Sequence, residues 1–369
     1  MGKIKTGIIG CGGIANQKHL PALKHWADRC EIVAFCDIKV ERAEKAAKEY
    51  GAPGAKVYTD YHELLADPEI VDVHVCTPNV SHCPITIAAF EAGKHVICEK
   101  PMAANTEDAQ KMMDAWKKSG KLFTIGYQNR YRTDSQALKK IVEDGELGDI
   151  YYARAHAIRR RAVPTWGVFP DKAQQGGGPL IDIGTHALDL TLWYMDNYEP
   201  KSVMGASFEK LGTLLEPGQQ GNAFGPWDNK TYEVEDSAFG FVTMKNGAVI
   251  SVEASWALNT LDVGEAMTML SGTKGGADMW PDEGKKQGLR INKIVADRQT
   301  VVKPDVDAPA GVAFFDGADL PAHVVEAKVW LDALEGKGEL VVKPEQAFTV
   351  TKILDAIYKS AATGKLVEF

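Results

Sequence analysis

Ile4-Lys5-Thr6-Gly7-Ile8-Ile9-Gly10-Cys11-Gly12-Gly13-Ile14-Ala15 is a short, mainly apolar run that closes in a G-x-G-x-x-A loop. A strand pattern precedes the glycines and a helical pattern follows them, which is the setting a dinucleotide-binding turn requires. Gly10 makes the tight turn, Gly12 admits a pyrophosphate, and Ala15 lets helix and strand approach; Gly13 and Ile14 are read as cofactor contacts beside them. A second strand, Glu31 to Cys36, strengthens this reading because it delivers Asp37, a carboxylate placed to accept hydrogen bonds from ribose hydroxyls. Its distance from the glycines is longer than usual, and Pro21 in the first crossover accounts for the extra length. Asp37 favours NAD, since a 2′-phosphate would meet like charge, while Lys39 and Arg42 leave NADP open.

Outward from this loop the β-α alternation continues, with helical periodicity over Val40 to Tyr50, a strand at Val57-Tyr58 and a helix from Tyr61 to Ala66. The strand Val71 to Cys76 delivers Thr77-Pro78-Asn79, and ligands sit at the carboxyl ends of such strands, so these three are expected to line the cofactor crevice with His82 just beyond. The strand His95 to Cys98 likewise delivers Glu99-Lys100-Pro101, where a lysine faces the crevice and a proline fixes the chain direction. A helix over Thr106 to Ser119 and a strand at Leu122 to Ile125 lead to Gly126-Tyr127-Gln128-Asn129-Arg130-Tyr131, in which Gln128 is a cofactor candidate and Arg130 a substrate candidate.

There the rhythm stops. Longer alternating runs follow, at Ile150 to Arg160, Ser237 to Met244, Ala248 to Ala257 and Met267 to Ser271, the middle pair joined by the hairpin signal Lys245-Asn246-Gly247. The pattern predicts an α/β chain of two domains: residues 1–126, a doubly wound parallel sheet of Rossmann type, and residues 127–369, an α+β domain with a large, mostly antiparallel open sheet. Surface loops are expected at 211–232 and 304–317, and a closing amphipathic helix from Pro344 to Ala362. A chain of 369 residues, 45% hydrophobic, has material for two cores. Its net charge of −8 and pI of about 5.7 argue against a nucleic-acid or anionic membrane partner. No apolar run is long enough to span a bilayer and no signal peptide is apparent, so a cytoplasmic location is the expectation. The six cysteines carry no CxxC pair and are read as reduced structural thiols, with no metal site.

Within the second domain Gly176-Gly177-Gly178-Pro179-Leu180-Ile181-Asp182-Ile183-Gly184-Thr185-His186 reads as a glycine turn followed by a helix. Asp182 and His186 are four residues apart, so a carboxylate and an imidazole project from one face, which is equipment for moving a proton. An alcohol is a poor acid: if hydride leaves its carbon for a dinucleotide, a base must take the proton and the developing alkoxide must be stabilised. His186 suits the base, Asp182 its orientation or a neighbouring hydroxyl, and Lys100 the electrostatic role. The segment His156 to Gln175 adds specificity candidates, Arg159 for hydroxyls or a carboxylate and Trp166 for stacking on an apolar ligand face, with His156, Trp256 and His323 as further contacts.

The glycine loop, Glu99-Lys100-Pro101 and Gly178-x-x-x-Asp182-x-Gly184-x-His186, in that order and spacing, resemble the glucose-fructose oxidoreductase/inositol dehydrogenase family known as Gfo/Idh/MocA, over essentially the whole chain. The resemblance implies an NAD(P)-dependent oxidoreductase acting on a secondary hydroxyl of a sugar, glycoside or inositol. It places the catalytic lysine on Lys100 and the aspartate and histidine on Asp182 and His186, in a cleft between the domains. It also implies a homodimer or homotetramer formed through the open sheet. A glycosidase that oxidises its sugar only transiently, and a sensor of the same fold without turnover, are the alternatives; for the first, Tyr127, Tyr131 or His156 would have to supply a further acid or base.

Overall fold

In the computed structural model, which describes residues 2–213, 221–281, 288–306 and 320–369, the strand before the glycine loop is β1 (Ile4–Ile9). It lies inside a parallel sheet with β2 (Cys30–Cys36), β3 (Lys56–Tyr58), β4 (Asp72–Val75), β5 (His95–Cys98) and β6 (Phe123–Ile125). The order is β3-β2-β1-β4-β5-β6. The direction of winding therefore reverses at β1, and the crevice that opens beside such a reversal, at the carboxyl ends of the strands, is where doubly wound sheets bind ligands. Val73, Val75, Val96, Ile97 and Cys98 are all buried, as strands covered on both faces require.

The first crossover departs from a plain helix. A π-helical turn, Ala15–His19, runs into the helix Leu20–His25, and Pro21 occupies that helix's first turn, where a missing N–H costs nothing. The helices Val40–Tyr50 and Thr106–Ser119 stand where periodicity puts them. The second starts on Asn105, whose side chain accepts the Asp108 N–H, and stops at Gly120 in the left-handed region.

By packing, the first unit is Met1–Tyr131 together with Leu320–Phe348, and the second is Arg132–Asp319 with Thr349–Phe369. A single cut near residue 127 leaves out this return. The helix Ala322–Leu334 belongs to the first unit because the Trp330 indole donates to Asp72 Oδ2 at 2.9 Å and Arg29 pairs with both Asp332 and Glu335. Trp26 Nε1 also donates to the Val324 carbonyl at 2.9 Å.

The second unit is built on β7 (Ile150–Ile158), β8 (Pro200–Phe208), β9 (Ser237–Met244), β10 (Val249–Ser255), β11 (Gly264–Gly272), β12 (Gly275–Asp278), β13 (Arg290–Val295), β14 (Arg298–Val302) and β15 (Val367–Glu368). Among the described residues they form one sheet in the order β14-β13-β12-β11-β7-β10-β9-β8-β15. β7 and β10 run parallel and the other neighbours antiparallel. The Lys245-Asn246-Gly247 turn joins β9 to β10 as the hairpin signal predicts. The helix Thr185–Met195 lies on the face that carries Ala155, Val252 and Thr268, and the Thr191 hydroxyl meets that of Thr268 at 3.0 Å. Leu188, Leu190 and Leu192 are fully buried on it, each contributing about 1.5–3 kcal/mol.

Of the two expected surface loops, residues 214–220 and 307–317 lie outside the described residues. The last helix runs Pro344–Thr363, with Gly364 at positive φ just past its end. No helix among the described residues is long and apolar enough to cross a membrane.

Candidate functional site

At the end of β1, Gly10 adopts φ +92°, and a Cβ there would meet the Cys76 carbonyl oxygen at 2.6 Å; the turn admits glycine alone. Gly12 and Gly13 differ, since a Cβ on either would point into open space. That open cradle, at the start of a helical segment, has the shape and the exposed backbone that a pyrophosphate needs. Two side chains hold it. Asp37 Oδ2 accepts the Cys11 N–H and Oδ1 the Lys39 N–H, both at 2.9 Å, while Asn16 Nδ2 donates to the Cys11 and Gly12 carbonyls at 2.8 Å. Asp37 thus sits where the sequence places it and also ties β2 to the loop. Asn16 was not among the expected site residues, although its polar side chain one position into the turn is the kind that satisfies loop carbonyls. Among the six buried cysteines, burial pushes the Cys11 thiol up to about 12, so it is a packed neutral group.

Thr77 and Pro78 follow β4 half-buried, with Asn79 buried at the start of the helix Asn79–Glu91. His82 is fully buried, and its Nδ1 and Nε2 lie 2.8 and 2.9 Å from the carbonyls of Pro101 and Thr77. Burial holds its pKa below the ordinary imidazole range, so the neutral ring donates one N–H and acts as a brace between two crevice loops. Glu99 is also turned inward, its Oε1 on His19 Nε2 at 2.9 Å and its Oε2 accepting the Lys100 N–H at 3.1 Å. Lys100 is half-buried at the carboxyl end of β5 and joins Pro101 through a cis peptide. Gln128 is half-buried in the 3-10 turn Gln128–Tyr131, whereas Arg130 is fully buried and donates to the Val341 carbonyl and Gln346 Oε1. Its placement makes Arg130 a packing residue of the first unit.

In the second unit the Asp182–His186 segment is a π-helical turn, Leu180–Gly184, leading into the α-helix Thr185–Met195. Between Gly177 and Tyr194 every residue is buried except Asp182 and His186. A wide turn of this kind is costly and clusters at functional positions. Several contacts hold it. The Asp182 N–H donates to the Gly178 carbonyl at 3.0 Å, and the Gly178 and Leu180 N–H groups donate to the buried Glu235 carboxylate at 2.9 and 3.2 Å. Tyr358 adds its hydroxyl to Glu235 at 2.7 Å. Burial pushes the Glu235 carboxyl up against the pull of these donors. A Cβ on Gly178 would stand 2.2 Å from the Glu235 carbonyl oxygen, which explains the glycine. Trp256, fully buried, donates from Nε1 to Asp182 Oδ2 at 3.1 Å. It braces the carboxylate instead of lining a substrate surface. Glu235 escapes sequence reasoning because it lies in no periodic or glycine-marked motif, and Tyr358 because the periodicity of the closing helix does not say what its hydroxyl meets; only the apposition of three separate segments reveals them.

The remaining candidates divide. Arg159 reaches Glu265 through Nε and Nη2, and Trp166 is exposed, with its ring edge-on to Phe224 and Phe169. Phe169 in turn packs edge-on against Trp256, so an aromatic row connects Trp166 to the residue that braces Asp182. His156 is not part of this grouping. It pairs in register with Glu253 and Met267, on the sheet face opposite Ala155 and Thr268, where it meets Glu253 at 3.1 Å. Despite its burial, Glu253 is held down to about 2 by His156 and Arg154. His323 lies in the first unit, half-buried on the helix Ala322–Leu334.

The model of an oxidoreductase family with an NAD-binding Rossmann fold matches residues 4–127, and that of the same family's C-terminal α/β domain matches residues 139–369. The chain is 35% identical over 373 residues to the D-glucoside 3-dehydrogenase of Escherichia coli (strain K12), covering 99% of this chain and 97% of that one. It is 30% identical over 282 residues to the levoglucosan dehydrogenase of Pseudarthrobacter phenanthrenivorans (strain DSM 18606 / JCM 16027 / LMG 23796 / Sphe3), covering 69% and 68%. A solved structure of levoglucosan dehydrogenase in complex with NADH and L-sorbose has a TM-score of 0.81 at 25% identity, over 100% of this chain and 99% of that one. With matches running from residue 4 to residue 369 across both sheets, the chain belongs to the Gfo/Idh/MocA family of NAD-binding oxidoreductases.

Proposed function

We propose that this oxidoreductase oxidises a secondary ring hydroxyl of a pyranoside and leaves the glycosidic bond intact. The observation that carries the reading is that Asp182 and His186 alone are partly open to solvent within the buried segment 177–194. His186 takes the hydroxyl proton. Asp182, itself held by the Trp256 N–H, orients the imidazole and favours its protonated form as the proton arrives. Lys100 places a cation at the developing alkoxide. Bound NAD supplies the hydride acceptor, with Gly12 and Gly13 leaving room for its pyrophosphate, Asp37 facing its ribose, and Thr77, Pro78, Asn79 and Gln128 lining the crevice.

Arg159 and Trp166 are the specificity residues of this reading, and the aromatic row from Trp166 to Trp256 supports them. The name of the Escherichia coli relative supports a glucoside as substrate. A cytoplasmic homodimer or homotetramer completes the proposal, assembled through the sheet face that exposes Met204 and Phe241. A panel of inositols, free aldoses and glycosides, followed by NADH absorbance, tests the substrate class. The reading expects glycosides to give the highest kcat/KM; turnover of inositols alone would overturn it.

A further inference from the structure

Below the strand end that carries Lys100, four titratable side chains form a buried chain that the proposed chemistry does not use. Glu99 Oε1 lies 2.9 Å from His19 Nε2, His19 Nδ1 lies 2.8 Å from His74 Nδ1, and His74 Nε2 faces Asp72 Oδ2 at the longer distance of 3.4 Å. Asp72 closes the chain, accepting from the Thr6 hydroxyl at 2.8 Å and from the Trp330 indole at 2.9 Å. His19 is 5% exposed, Glu99 3%, His74 1% and Asp72 0%, and groups so buried are costly unless each is paired.

Counting protons shows how tightly the chain is coupled. Each of the two hydrogen bonds of His19, to Glu99 and to His74, needs one proton, and two neutral imidazoles bring one N–H apiece. Removing His19 therefore leaves both Glu99 Oε1 and His74 Nδ1 without the partner each has in the chain. A small cavity beside the pair is also lined by Lys18, His323 and Glu326. Burial, with Glu99 adding to it, pushes the Glu326 carboxyl well above the usual range, and burial pushes the imidazoles of His74 and His323 down.

We infer that His19 is a positioning residue for the lysine motif. Anchored through His74 to Asp72, it holds Glu99 turned inward, and Glu99 in turn holds the Lys100 N–H at 3.1 Å, fixing the backbone from which the Lys100 side chain projects. The inference rests on the reading of Lys100 as the cation of the reaction. It explains why Glu99, next to a lysine at a crevice edge, points into the protein.

Glutamine and asparagine separate the two ends of the imidazole, because a glutamine amide nitrogen reaches the position of Nε2 and an asparagine amide nitrogen that of Nδ1. In the full-length enzyme with saturating NAD, His19→Leu is expected to lower kcat by about 10- to 100-fold. The NAD Kd should stay within about threefold, because the loss falls on the chemical step. His19→Gln, which keeps the donor to Glu99, should recover most of kcat, and His19→Asn should not. Equal activity of the Gln and Asn variants would overturn the inference, as would parallel loss of NAD binding and kcat in all three. Should His19→Leu fail to fold, the Gln–Asn comparison still decides. A readout independent of turnover is NMR of the 15N-histidine-labelled protein. The chain predicts slowly exchanging ring N–H protons on His19 and His74 in the wild type and a displaced His74 signal in His19→Gln, and a His74 signal that the substitution leaves unmoved would contradict it. A wild-type protein idle on every glycoside would count against the dehydrogenase reading, and the NMR result would still test the chain.

Discussion

On the proposed reading His186 is the base, and the helix Thr185–Met195 that carries it is buried at every position but His186 and Met195, so its removal takes away a base while the scaffold keeps its packing. His186→Ala is expected to lower kcat by about 10²- to 10⁴-fold with little change in NAD affinity, measured by steady-state kinetics beside a cofactor titration; comparable loss of NAD binding would refute the assignment. Trp256→Phe keeps an aromatic ring, smaller than the indole, and removes the hydrogen bond to Asp182. Bonds to a charged group are worth about 1.5–3 kcal/mol, and kcat should fall about tenfold or more while the protein stays folded. At the cofactor end, Asp37→Ser should narrow the preference for NAD over NADP in a paired titration, since it removes both the ribose acceptor and the repulsion of a 2′-phosphate. Asp37, Asp182 and His186 were legible at this scale because turn glycines and residue spacing announce them. His19 and Glu235 were not, because their roles arise from partners distant in the sequence, Glu99 for His19 and Gly178 for Glu235.

The π-helical turn at Leu180–Gly184 is the element on which the proposed chemistry rests, and Glu235 is bonded to it through Gly178 and Leu180. The carboxylate accepts from Tyr358, Gly178 and Leu180, all donors, so an amide nitrogen in its place must face one of them. Glu235→Gln is therefore expected to cost about 1–3 kcal/mol of stability and to lower kcat more than it raises KM. Tyr358→Phe should have the smaller effect, removing one donor and leaving both backbone contacts; a Glu235→Gln enzyme with unchanged melting and kcat would contradict this account. A plain helix was the expectation for residues 180–190, and periodicity cannot distinguish it from a helix that opens by one residue per turn, since either keeps Asp182 and His186 near one face. The helix Ala322–Leu334 offers a pH test. Burial raises the pKa of Glu326 well above its ordinary value, so the stability it contributes is present below the unfolded pKa and is lost as pH rises through the folded one. Glu326→Gln should melt like the wild type near about pH 5 and progressively higher than it toward about pH 9; a gap that narrows with rising pH would show the sign to be wrong.

At the scale of the whole molecule the two sheet types were legible in the change from β-α alternation to long alternating runs. The return of residues 320–348 to the first unit was not, because an amphipathic helix does not declare which sheet will cover its apolar side; Trp330 meeting Asp72 and Arg29 meeting Glu335 decide it. Phe241 is 54% exposed and Met204 45%, side by side in register on β9 and β8, so the two form one exposed apolar pair on the sheet. Phe241→Glu is expected to shift the mass seen by light scattering toward the monomer, and an unchanged mass would remove this face from the assembly. The central claim is net oxidation of a ring hydroxyl. One base, one orienting carboxylate and one cation suffice for it, whereas eliminating an aglycone requires a further acid–base pair. Incubation with a chromogenic glycoside and excess NAD, following NADH and free aglycone in the same cuvette, tests this directly: the account predicts NADH accumulating with no aglycone released, and aglycone released without NADH would contradict it.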